Sequence, residues 1–269
     1  MTGKLLRFGF HGFLNAQPLL TVLSRLATQA GFEIVVDTPA VVAEMLMSGR
    51  LDLAMVPSAE YLRVAGEYKL VPGLCIASRG PVSTVLLVAK TPLDQARSLA
   101  LDERSRTSVA LLKILYGDRF SPAIEYRPAR PDLAEMLRVH DAALIIGDQA
   151  LNAVPVTGNL SVHDLGEEWF RIAGRTFVHA VVAVRPGVFL DGRTLERIGS
   201  AGQEGAREIA TVAQAHSERT GVSREICEGY LREKIIYRLG AEELDGLEHF
   251  RDLCHERGLV PQKYPIRFL

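Results

Sequence analysis

The chain has 269 residues, 48% of them hydrophobic, with 31 Lys+Arg against 32 Asp+Glu and a formal net charge of -1 at pH 7. That is enough apolar chain to bury a sizeable core, as one large domain or two small ones, and the balanced charge argues against nucleic acid or an anionic membrane as partner. The first residues, MTGKLLRFGF, lack the apolar region and cleavage site of a secretory signal. No later stretch approaches the ~18 apolar residues of a membrane span, so a soluble, cytoplasmic protein is expected.

In chain order, residues 5–10 read as a strand and residues 16–30 as an amphipathic helix, with Pro18 acceptable in its first turn. A strand at 33–37, a short helix at 41–48 stopped by Gly49, and a buried strand at 51–57 (LDLAMVP) follow. Residues 77–84 (ASRGPVST) form a polar turn in which Gly80-Pro81 fixes the bend, and 85–89 are an apolar run. The stretch 98–115 (SLALDERSRTSVALLKIL) changes from a strand at 99–101 to a polar loop at Asp102. From Val109 its apolar residues fall at helical spacing. Residues 124–126 and 142–147 read as strands, 133–138 as a short helix, 169–176 as a helix and turn, and 177–184 as an apolar strand. From Leu195 onward the chain is nearly all helical, with amphipathic spacing at 198–215, 224–230 and 241–257.

This alternation predicts an α/β fold with a mainly parallel sheet, in which ligands sit where strand ends pass into helices. The apolar runs 84–90 and 177–184 bracket the middle third of the chain. A segment inserted between two such crossings predicts two lobes, 1–88 plus 183–269 and 89–182, with a cleft between them and a hinge at the crossings.

Four segments adjoin the predicted strand ends: 11–15, 57–59 with Ser58, 79–84 and 105–108. Thr107 and Ser108 open a helix, where hydroxyls, free N–H groups and the helix dipole attract an anion, although the same residues also serve as a plain N-cap. Arg106 adds a forked positive charge suited to a carboxylate. Arg79, Ser83 and Thr84 repeat this composition, so the two turns read as two walls of one anion site. Cys75, Cys227 and Cys254 are odd in number and not closely paired, which fits buried thiols better than disulfides or a CxxC metal site. His140-Asp141 and His163-Asp164 lack metal-ligand spacing, and no GxGxxG, GxxxxGK[ST] or GxSxG string occurs, so neither a metal nor a nucleotide cofactor is expected.

The strings GFLNAQPL, LAMVPSAEYLR, IASRGPVSTVLL, LDERSRTSVALLKILY, AALIIGDQAL, DLGEEW and LGAEELDGLEHF resemble the menaquinone-biosynthesis enzymes of the futalosine pathway, the chorismate dehydratases in particular. The resemblance runs from Gly12 almost to the C-terminus. It implies a two-lobed fold of the type II periplasmic-binding-protein kind, with C-terminal helices, used as a cytoplasmic enzyme without a cofactor. The implied reaction removes water from chorismate to give 3-[(1-carboxyvinyl)oxy]benzoate. A sister enzyme of the same pathway, which forms a dihydroxynaphthoate, and a non-catalytic binding protein for a small carboxylate are the alternatives; the DLGEEW and SRTS strings favour the dehydratase.

A dicarboxylate substrate needs two anion pockets. Thr107 and Ser108 are assigned one carboxylate, and Ser83 and Thr84 the other or the ring hydroxyl. Arg79 and Arg106 are candidates for charge pairing, or for bracing their loops. Asn15 matches the asparagine of the family's N-x-x-P-L string and is expected to orient the leaving hydroxyl or the enolpyruvyl carboxylate. The candidate general bases are His11, Asp148 and Glu60, or one of the substrate's own carboxylates. A monomer or a homodimer is expected.

Overall fold

The computed structural model describes residues 5–153 and 160–269. Strand β1 (Leu6–His11) leads through helix α1 (Gln17–Ala30) to β2 (Phe32–Asp37), α2 (Pro39–Met47) to β3 (Leu53–Pro57), and α3 (Ser58–Val64) to β4 (Lys69–Ser78). The chain then continues through β5 (Val85–Ala89), β6 (Ser98–Asp102), α4 (Thr107–Tyr116), β7 (Glu125–Ala129), α5 (Leu133–Val139), β8 (Ala142–Ile146) and α6 (Asp148–Ala153). After β9 (Ser161–Asp164) and α7 (Leu165–Ala173) it returns as β10 (Phe177–Val184). The C-terminal part holds α8 (Gly192–Thr220), α9 (Arg224–Gly229), a π-helical turn at Tyr230–Lys234, and α10 (Ala241–Glu256). No helix among the described residues is long and apolar enough to cross a membrane.

The strands form two sheets of order β2-β1-β3-β10-β4 and β7-β6-β8-β5-β9, one to each lobe. Both are mixed, which corrects the expected parallel arrangement. β1 pairs in parallel with β2 and β3, and β6 with β7 and β8, as helix crossovers require. β10 runs antiparallel to β3 and β4, and β5 antiparallel to β8 and β9. The reason is the crossings: a strand that enters a lobe from the cleft must run away from it, against strands whose carboxyl ends point to the cleft.

The chain changes sheets between β4 and β5 and again between β9 and β10, so the expected breaks at 88/89 and 182/183 fall inside β5 and β10. β5 pairs entirely within the second sheet and β10 entirely within the first.

One contiguous apolar cluster, running from Phe8 through Leu87 and Leu144 to Phe250, spans both lobes. Within β5 the side chains alternate: Val85, Leu87 and Ala89 join that cluster, while Leu86 and Val88 join a smaller one under α5. At residue 246 a glycine is obligatory, since a Cβ there would lie 1.9 Å from the Thr176 carbonyl oxygen. This close approach seats α10 against the start of β10. Cys75, Cys227 and Cys254 are unpaired and buried.

Candidate active site

The carboxyl ends of β1, β3 and β8 and the loop before α4 surround an interlobe cleft with about 570 Å³ of empty space, its open mouth included. Among the described residues no carboxylate side chain lines it; the ionisable lining groups are His11, His179, Arg104 and Arg106.

One wall is the start of α4. Arg106 occupies the N-cap position and no side chain caps the helix, so its first N–H groups stay available to a ligand. Arg106, Thr107 and Ser108 all line the cleft, Arg106 exposed and the two hydroxyl residues buried. Thr107 Oγ1 accepts the Ala59 N–H at 3.1 Å and stands 3.5 Å from Ser58 Oγ. Ser58 in turn donates to the Val178 carbonyl at 2.7 Å. Ser58 is therefore a buried tie beneath this wall and does not line the cleft. Thr107 both faces the cleft and joins the lobes.

The opposite wall is the first crossing, where the sequence-predicted residues separate. Thr84 is buried and lines the cleft, its hydroxyl 3.1 Å from the Tyr230 hydroxyl. Ser83 points elsewhere and its hydroxyl accepts from the Lys234 ammonium. Its backbone has φ +63°, a left-handed conformation unusual for a side chain with a Cβ. The Asp164 carboxylate holds that bend by accepting the N–H of Ser83 at 2.6 Å and of Val82 at 3.1 Å. Arg79 is exposed, 3.2 Å from Glu242 and stacked over the Phe170 ring, outside the cleft.

The floor comes from β1, β10 and their flanking loops. His11 is buried with Nδ1 unpartnered, and burial pushes its pKa down to about 4, so the imidazole is neutral at physiological pH. Asn15 lines the cleft with a buried, unpartnered Oδ1 while its backbone carbonyl accepts from the Tyr237 hydroxyl at 2.8 Å. An orphaned buried acceptor costs ~1–3 kcal/mol, which a ligand donor recovers. His179, on β10, has Nε2 2.9 Å from Ser78 Oγ and is likewise pushed down to about 4 by burial.

Arg104 closes the other end. Its guanidinium lies 5.1 Å over the Phe13 ring of the opposite lobe and is gripped by both Asp102 oxygens at 2.8 and 2.6 Å.

Two of the candidate bases stand outside the cleft. Asp148 accepts the Leu14 N–H at 3.0 Å, and its other oxygen lies 4.0 Å from His216 Nε2. Gly147, at φ +68°, turns the chain so that this carboxylate faces the first lobe's loop. Glu60 is 3.8 Å from Arg63 on α3 and lines a separate groove.

The sequence reading passed over His179, Arg104, Phe13 and Tyr230. The one available signal was His179, a polar residue within the apolar strand FVHAVVAV.

The sequence matches the family described as menaquinone biosynthesis over residues 6–256. It is 32% identical to the chorismate dehydratase of Thermus thermophilus across 96% of this chain and 97% of that protein. Among solved structures, a protein of Archaeoglobus fulgidus superposes with a TM-score of 0.72 at 14% identity, covering 97% of this chain and 100% of that one. The alkanesulfonate-binding protein of Xanthomonas axonopodis pv. citri, bound to MOPS, superposes with a TM-score of 0.69 at 16% identity, covering 98% and 96%. At these identities the structural likeness concerns the fold, which is that of periplasmic binding proteins.

Proposed function

Since the chain belongs to the menaquinone-biosynthesis family, we propose that it is a chorismate dehydratase, a hydro-lyase that converts chorismate to 3-[(1-carboxyvinyl)oxy]benzoate and water. The observation that carries this reading is the 32% identity to a chorismate dehydratase over nearly the full length of both chains. The cleft suits such a substrate because its lining offers hydroxyls, free helix N–H groups and guanidinium charge, with no carboxylate among the described residues to repel a dianion.

The reaction removes the ring proton beside the enol ether. The resulting charge spreads through the ring diene into the ring carboxylate, hydroxide leaves the adjacent carbon, and the ring becomes aromatic. Proton and hydroxide together make one water, so atoms and electrons balance within the substrate. Aromatisation is strongly downhill, and the barrier lies in deprotonation. Donors that meet the ring carboxylate as its charge grows lower that barrier.

In our assignment Thr107, Ser108 and the N–H groups of α4 take one carboxylate, with Arg106 supplying charge. Thr84 serves the second carboxylate or the ring hydroxyl, and Asn15 orients the ring hydroxyl in the bound substrate, before it leaves, or the enolpyruvyl carboxylate. Burial disfavours the charged imidazolium that His11 or His179 would become on taking the proton, and among the described residues no protein carboxylate lines the cleft. The proton is then assigned to a carboxylate of the substrate itself, tethered near the reacting carbon and favoured by proximity. A His11→Gln, His179→Gln double variant that keeps most of its turnover supports this assignment, and abolished turnover with intact chorismate binding refutes it.

The whole reading is tested by incubating the purified protein with chorismate and following products by chromatography and mass. A product lighter by one water is expected. Unchanged chorismate, together with ligand-induced stabilisation, makes the protein a binding module instead.

A further inference from the structure

Thr84 is the hydroxyl residue that the first crossing presents to the cleft, yet its hydroxyl is met by a residue 146 positions away. The Tyr230 side chain is buried, its hydroxyl lies 3.1 Å from Thr84 Oγ1, and Asn15 faces the same hydroxyl. Tyr230 does not line the cleft, so it reaches substrate only through these two residues. It opens the π-helical turn Tyr230–Lys234, and Lys234 at the other end of that turn holds the Ser83 hydroxyl. One turn of the C-terminal region therefore grips two consecutive residues of the crossing. Turns of this kind recur at functional sites because the extra residue per turn redirects a side chain out of ordinary helical register.

The bonding has a direction. A threonine hydroxyl has one proton and two lone pairs, and burial keeps the phenol protonated by raising its pKa. If Thr84 accepts the phenol proton, its own O–H is left to point into the cleft, and the chain of two hydroxyls polarises the outer one.

We infer that Tyr230 is a positioning residue for the cleft, orienting the Thr84 hydroxyl as a donor to substrate from the π-helical turn at Tyr230–Lys234. The inference rests on the chorismate reading for its choice of ligand.

The test is a double-mutant cycle with Tyr230→Phe and Thr84→Val, read both as kcat/KM for chorismate and as the calorimetric Kd for chorismate. Tyr230→Phe keeps the ring and removes one oxygen. The expected result is a fall in kcat/KM of about tenfold in the wild-type background and less than twofold in the Thr84→Val background. Thr84→Ser, which retains the hydroxyl, restores the sensitivity to Tyr230→Phe. An equal loss in both backgrounds means that the effect of Tyr230 does not pass through Thr84 and overturns the inference, as does no loss in either. If the wild type binds chorismate without converting it, the dehydratase reading fails and the same cycle on Kd decides the role of Tyr230. A wild type that neither binds nor converts chorismate overturns both.

Discussion

The two walls of the cleft have nearly the same composition, Ser105-Arg106-Thr107-Ser108 against Arg79 and Ser83-Thr84, and they behave differently. At the start of α4, Arg106, Thr107 and Ser108 all line the cleft. At the crossing, Thr84 lines it, Ser83 turns to Lys234 and Arg79 pairs with Glu242 on the surface. The difference follows from backbone form. A helix start gathers successive N–H groups and side chains around one axis, whereas a crossing segment sends neighbouring side chains to different sides. Composition marks a polar turn; conformation decides how much of it a ligand meets.

The contrast is broken most severely at the helix start. Replacing Thr107 by Val and Ser108 by Ala together is expected to lower kcat/KM for chorismate by on the order of 10²–10³, measured by product formation. A loss under tenfold places the carboxylate elsewhere.

At the crossing, Thr84→Val should cost about tenfold or more, while Ser83→Ala, which loses only the Lys234 contact, stays within about threefold. Equal losses at the two positions erase the distinction between them.

The arginines divide in the same way. Arg106→Gln is expected to raise KM about tenfold. Arg79→Gln should change kcat/KM by less than about twofold, because an exposed ion pair contributes at most about 1 kcal/mol even to stability.

The smallest effect on turnover concerns the floor both walls share. His11 and His179 stay neutral until the pH approaches about 4, so neither changes charge between pH 8 and 5. Stability behaves otherwise. Between the unfolded histidine pKa of about 6.5 and the folded value of about 4, the unfolded chain binds more protons, so stability falls as pH falls through that window. The buried His11 alone accounts for up to about 3 kcal/mol of that loss. His11→Gln should flatten the dependence of Tm on pH between 7 and 4.5, and an unchanged slope places the titration elsewhere.

The helix-start wall was legible because a run of hydroxyl residues before helically spaced apolar residues is a local pattern. The two-lobed α/β organisation was legible from alternating strands and helices with an apolar run at each crossing. What escaped depended on distant partners. Nothing near Ser83 in the chain announces Lys234 or Asp164, whose contacts split the Ser83-Thr84 pair. Asp148 reads as a residue at the mouth of β8, yet the left-handed Gly147 swings it onto the Leu14 N–H. β4 was hidden by Pro72-Gly73 within its apolar run, and the antiparallel strands follow from the crossings, a property of the whole topology.

The most direct test of the account is a crystal structure with the product, 3-[(1-carboxyvinyl)oxy]benzoate, bound. The account predicts one carboxylate within about 3 Å of the first N–H groups and hydroxyls of α4, and Thr84 in hydrogen-bond reach of the same molecule. Product bound outside the interlobe cleft, or seated against Arg79 and Ser83 with the start of α4 uncontacted, contradicts it.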